Sequence, residues 1–150
     1  MNATTLLVSI DVGSKELVTA VRTGDDRIKV VAFPNDATGR ARLVAEALRL
    51  APAGATVRVG LEATGTYGTA VAETLHDAGH RVSVVNPAAI EAFGRSRLSR
   101  TKTDPTDARL IAQFCRAQEP PPWTPLPREL RELQALVRRL DALEGMRQQE

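Results

Sequence analysis

The chain has 150 residues, a mass of 16.2 kDa, a formal net charge of +2 and a sequence pI near 9.1. That length suits one compact domain, or a domain with an appendage, and excludes a two-domain enzyme with a cleft between its halves. With 43% hydrophobic and 25% charged residues the chain is not disordered, and its single cysteine, Cys115, excludes a disulfide framework and a Cys-based zinc site.

The elements follow in chain order. Thr5–Asp11 is a continuous apolar run closed by an acid, the pattern of a strand buried on both faces. Val12–Lys15 turns into a second strand, Glu16–Arg22. Residues 23–26, Thr-Gly-Asp-Asp, make a hairpin-type turn. A third strand, Arg27–Phe33, alternates Ile28, Val30 and Ala32. Thr38 is placed to cap a helix to about Leu50, with Leu43, Ala47 and Leu50 on one face. Thr56–Glu62 is a fourth strand, again ending in a carboxylate. Gly65–Ala78 reads as a helix with Val71 and Leu75 inward and Gly79 as its stop. Arg81–Val85 is a fifth strand, closed by Asn86-Pro87. A short helix over Pro87–Phe93 leads into a basic loop, 94–103, and Asp104 opens a helix to about Ala117.

Glu119–Pro127 contains five prolines and reads as a linker. Arg128–Glu150 is a long helix of about 34 Å at ~1.5 Å per residue. Its Leu133, Leu136, Leu140 and Leu143 step by 3, 4 and 3, a heptad seam. It reaches Glu150 without Gly, Pro or another capping signal, so the sequence reads as ending inside a helix. The expected domains are therefore 1–118, a linker 119–127, and the start of a coiled-coil helix, 128–150. No apolar run approaches the ~18 residues of a membrane span, and no signal peptide is visible; a reduced, cytoplasmic setting is expected.

The order βββαβαβα sets three strands joined by short turns before two reached through helical crossovers. The expected fold is α/β and ribonuclease H-like: a five-stranded mixed sheet, part antiparallel and part parallel, with flanking helices.

Four acids stand out by position. Asp11 and Glu62 end two strands, where ligands gather in α/β sheets. Asp104 and Asp107 are three apart at a helix start and share a face. Four clustered carboxylates repel unless protonated or bound to cations, and all-oxygen donors favour Mg²⁺ or Mn²⁺. Two such ions suit phosphodiester transfer. Asp104-Pro105-Thr106-Asp107 is equally a good helix start, with an Asp N-cap and Pro at N1. Residues 94–116 carry six basic residues against two acids, a local +4 in a remainder of −2. Arg95, Arg97, Arg100 and Lys102 there are candidate nucleic-acid contacts. Tyr67 is a candidate for stacking on a base. His76 and His80 read as a helix end rather than a metal pair, and Cys115 as a buried apolar residue.

The strings Ser9-Ile10-Asp11-Val12-Gly13-Ser14-Lys15, Leu61-Glu62-Ala63-Thr64-Gly65-Thr66-Tyr67, Val85-Asn86-Pro87 and Thr103-Asp104-Pro105-Thr106-Asp107-Ala108 resemble the DEDD insertion-sequence transposases. That family is related to the pilin-gene invertase. The resemblance covers nearly the whole chain. It implies a RuvC-like form of the ribonuclease H fold, with Asp11, Glu62, Asp104 and Asp107 as catalytic Mg²⁺ ligands. It further implies DNA as substrate, a bridge RNA as guide, and dimers that pair into tetramers through the C-terminal helix. A later serine-bearing domain belongs to that pattern and is absent from these 150 residues. The chain alone is therefore expected not to exchange strands. Two other readings stay open: a non-catalytic RNA-binding and dimerisation module, and an actin-like or sugar-kinase ATPase fragment, whose first phosphate loop Asp11–Lys15 resembles. The second needs another phosphate loop and lobe, and neither is visible.

Overall fold

The computed structural model describes residues 5–22, 27–62, 65, 67–96 and 108–149. Five strands are present: β1 (Thr5–Val12), β2 (Glu16–Arg22), β3 (Ile28–Pro34), β4 (Thr56–Glu62) and β5 (Arg81–Val85). The helices are α1 (Ala37–Leu50), α2 (Tyr67–Asp77), α3 (Pro87–Ser96), α4 (Ala108–Gln118) and α5 (Arg128–Gln148). The sheet order is β3-β2-β1-β4-β5. β1 pairs antiparallel with β2, and β2 with β3; β1–β4 and β4–β5 are parallel. This is the mixed sheet expected from the element order.

Strand alternation sorts the side chains onto two faces. Leu6, Val8 and Ile10 of β1, Leu17 and Val21 of β2, Val57, Val59 and Leu61 of β4 and Val82 of β5 pack with Leu43 and Ala47 of α1 and Val71 and Leu75 of α2. On the other face Val85 packs with Ile90 of α3 and Leu110, Ile111 and Cys115 of α4, joined by Leu7, Phe93 and Phe114. β1 is therefore covered on both sides, which its unbroken apolar run requires. Aliphatic side chains supply most of both clusters.

Several details depart from the sequence reading. The cap of α1 is Asp36, whose carboxylate accepts the Gly39 N–H at 2.7 Å; Thr38 already lies inside the helix. In β3 the inward residues are Val31 and Phe33, while Val30 and Ala32 are exposed. β3 is an edge strand, and α1 packs against its odd-numbered face, leaving the even one open. Helix α3 continues through Gly94, Arg95 and Ser96. Asn86 starts it, its side chain accepting the Ala88 N–H at 2.8 Å. Gly79 stops α2 as expected, at φ +89° with its N–H on His76 O at 2.9 Å and the next N–H, His80, on Leu75 O at 3.1 Å.

The proline-rich segment 119–127 wraps the edge of β5. Ser83 Oγ donates to Pro120 O at 3.1 Å on one side, and the Trp123 N–H donates to Val82 O at 2.7 Å. The Trp123 ring joins the α1/α2 core and meets His76 edge-on at 6.1 Å. Beyond it, α5 buries none of its side chains. Among the described residues, no helix is long and apolar enough to cross a membrane.

Candidate functional site

Asp11 is the penultimate residue of β1 and Glu62 the last of β4. The two strands are parallel and paired in register up to Ile10 opposite Leu61. The next step along both strands sets Asp11 beside Glu62. Ile10 and Leu61 belong to the α1/α2 core, so alternation turns both carboxylates toward α4. Glu62 is only 9% exposed and Asp11 half-buried. Burial raises the Glu62 carboxyl above its ordinary value, and the negative charge of Asp11 raises it further. Two carboxylates this close favour either a retained proton or a bound cation.

The backbone around the pair is fixed locally. Past Asp11 the chain turns sharply, with the Gly13 N–H on Glu16 O at 2.8 Å. The Asn35 side-chain amide donates to Gly13 O at 2.8 Å and clamps that turn to the end of β3. Beyond Glu62, Gly68 of α2 lies against the Glu62 carbonyl; a Cβ there would sit 3.5 Å from that oxygen. Tyr67, one residue earlier, is 53% exposed at the start of α2, available for stacking.

The direction of α4 follows from what it touches. Ile111 and Cys115 lie over Gly60, where a Cβ would collide with the Cys115 sulfur. Ala112 and Arg116 border Leu7 and Arg22. The helix thus runs from the carboxyl ends of β1 and β4 back toward their amino ends. Its first residue, Ala108, is buried at the end of the sheet that carries Asp11 and Glu62. Asp104 and Asp107 lie outside the described residues, as do Arg97, Arg100 and Lys102. Among the described residues, no group of three or more His, Cys, Asp or Glu gathers as a metal site; the described part of the expected set is a pair.

Arg95 is described, and it sits in the last turn of α3 rather than in a loop, paired with Glu91 at 3.2 Å on an exposed surface. Cys115 is buried as expected, and burial pushes its thiol up to about 11, so it stays protonated and unreactive. His80 is buried, which lowers its imidazole from the ordinary value. It packs in the fold rather than standing at a surface helix end.

Comparison with known proteins agrees with this fold. The model of the IS110-type DEDD family, described as transposase, matches residues 8–150. The pilin gene-inverting protein of Moraxella bovis is 43% identical over 70 residues, 47% of this chain and 22% of that protein. Its counterpart in Moraxella lacunata is 41% identical over the same length. The matched part thus spans about a fifth of those relatives. Among solved structures, T. thermophilus RuvC in complex with a Holliday junction substrate aligns with a TM-score of 0.53 at 16% identity, over 79% of this chain and 99% of that one. A second Thermus thermophilus RuvC structure gives 0.52 at 17% identity, with the same coverage. The fold is therefore the RuvC-like form of the ribonuclease H fold. With the family model matching almost every residue, this chain belongs to the DEDD transposase family.

Proposed function

We propose that this chain is the metal-binding catalytic domain of a recombinase that cuts and rejoins DNA during transposition. The observation that carries the reading is the Asp11–Glu62 pair: two carboxylates at the ends of adjacent parallel strands, one nearly buried and reluctant to ionise. Such a pair is a fitting oxygen-donor set for a hard divalent ion, Mg²⁺ or Mn²⁺. Asp107 is joined directly to Ala108, the buried first residue of α4, and Asp104 precedes Asp107 by three residues in sequence. These four acids are the residues we assign to metal binding and catalysis. The bound ions would supply activation of the attacking oxygen and charge stabilisation of the leaving one. The chain's own part is to hold the carboxylates in place through the β1–β4 pairing and to exclude water beneath Glu62. Arg95, Arg97, Arg100 and Lys102 would steer the nucleic-acid backbone toward the acids.

The wider reading rests on family membership. DNA is the substrate, a bridge RNA guides it, and a second copy pairs through α5 into dimers and tetramers. A domain carrying a nucleophilic serine lies elsewhere in the full protein, and the whole works in the cytoplasm. The domain boundaries are 1–118 for the catalytic unit, 119–127 for the connection and 128–150 for the pairing helix.

Thermal melts with and without Mn²⁺ or Mg²⁺ test the metal assignment. At ten times the dissociation constant a cation stabilises by about 1.4 kcal/mol, or roughly 4 °C for a chain of this size. We expect that gain in the wild type and its loss in Asp11→Asn and Asp104→Asn. Superimposable wild-type melts would remove the reading.

A further inference from the structure

The strand register brings together residues far apart in sequence. On the face that carries Leu7, Arg22 of β2 is opposite Leu7, Leu7 is opposite Arg58 of β4, and Arg58 is opposite Arg81 of β5. Three arginines thus stand in one cross-strand row at the amino end of the parallel strands. The row spans three strand spacings, roughly 14 Å. Arg116, in the last turn of α4, closes over its Arg22 end. There a cavity of about 480 Å³ has Leu7, Ile28 and Ala112 as apolar walls and Arg22, Gln113 and Arg116 as polar ones.

Arg116 has a local reason to be there, since a cation suits a helix C-terminus. Arg58 and Arg81 stand on strands, where no helix end favours a cation. Like charges directly opposite across a sheet are destabilising, and Arg58 faces Arg81 directly. Glu119 relieves this in part, 3.7 Å from the half-buried Arg58 with its own carboxylate exposed. An anion laid along the row relieves it fully.

We propose that Arg22, Arg58, Arg81 and Arg116 form a second nucleic-acid contact, which binds the phosphate backbone of a strand at the end of the sheet opposite the carboxylate pair. The inference rests on the proposed DNA-processing function. It adds a site that the basic segment 94–116 does not contain, apart from Arg116. Arginine forks suit phosphate oxygens. A row of roughly 14 Å is long enough to run beside a few consecutive phosphates of one strand. Leu7 and Asp11 are four residues apart on β1, so the row lies about 13 Å from the carboxylates along the same face. α4 covers β1 between them. A strand joining the two ends follows the neighbouring open surface of β3, where Val30 and Ala32 are exposed.

Fluorescence anisotropy with short labelled single strands of DNA and of RNA, titrated from about 50 to 300 mM salt, tests this. We expect Arg22→Gln/Arg81→Gln to weaken binding about tenfold at low salt. We also expect it to make the slope of log affinity against log salt shallower by about 1.4, two contacts at ~0.7 each. Arg116→Gln alone should lower the slope by about 0.7. Arg22→Lys/Arg81→Lys should restore it, and far-UV circular dichroism checks that each variant is folded. Equal losses on DNA and RNA support a backbone contact; a loss on one alone supports the site and names its strand. Unchanged slopes in folded glutamine variants overturn the proposal. So does polyglutamate that displaces the oligonucleotide from wild type at equal charge, which would make the row a surface for an acidic peptide. The Asp11→Asn melts report separately on the metal reading. A row that binds without a cation effect leaves this proposal standing and removes only that one.

Discussion

A carboxylate at the end of a buried strand weakens the apo fold when it ionises, and Glu62 meets this twice, through burial and through Asp11. The fold holds its proton more tightly than the unfolded chain does. Its stabilising share is therefore complete below the ordinary Glu value of about 4.3 and is lost as pH rises through the raised one. Glu62→Gln should raise the melting temperature of the metal-free protein at neutral pH and flatten the decline above pH ~4.3. Urea melts in chelator across pH measure this; a variant as pH-sensitive as wild type on that limb would contradict the assignment. His80 acts with opposite sign. Burial lowers its imidazole, so its share is present above the ordinary His value and is lost as pH falls through the lowered one. Glu62→Gln should leave that acid limb in place. Position at a strand end marked Glu62 in the sequence. Its burial, and the cost that follows, depend on α2 and α4 closing around it.

At the scale of elements, the site depends on how closely α4 approaches β4. Gly60 lies on the α4 face, and a Cβ there would run into the Cys115 sulfur. The missing side chain lets the helix settle onto the sheet and brings its first turn to the Asp11–Glu62 end. Gly60→Ala should cost about 1–3 kcal/mol, the range for overpacking a core. Cys115→Ala in the same chain should recover a substantial part of it, because it removes the colliding atom. Denaturant melts of the two single variants and the double variant decide this; purely additive losses would show that the contact does not set the helix position. At β5 the proline-rich segment does comparable work, covering an edge strand that would otherwise offer open hydrogen-bonding groups. The prolines announced an extended segment. That Trp123 packs into the core was not legible, because nothing in the local pattern says which strand edge lies within reach.

At the scale of the whole molecule, α5 is the element whose apolar surface the domain does not use. Leu133, Leu136, Leu140 and Leu143 are each more than half exposed along its heptad seam. A single helix of 21 residues gains little stability alone, and such a seam suits a second helix. On the proposed pairing, Leu136→Glu/Leu140→Glu should convert a dimer to a monomer in sedimentation equilibrium at ~10 µM and above, protein–protein affinities of this class lying near micromolar. The sheet domain should melt unchanged. Wild type and variant sedimenting alike would argue against pairing through this seam.

The five strands, the helices between them, the mixed sheet and the two strand-end acids are legible in the residues alone. These follow from local periodicity, turn chemistry and the rule that crossovers join parallel strands, all properties of neighbouring residues. The sequence also showed the family resemblance, which the matching family model bears out. What it left to the tertiary structure was which side chains become neighbours across strands. The β3 face depends on pairing register and on the helix packed behind it. The Asp36 cap of α1 depends on where the chain leaves β3 and turns into the helix, two residues before Thr38. The arginine row arises because Arg22, Arg58 and Arg81, spread over 60 residues of chain, fall at one level of the sheet. Register is a long-range property, fixed only when the strands pair and both apolar faces are buried together.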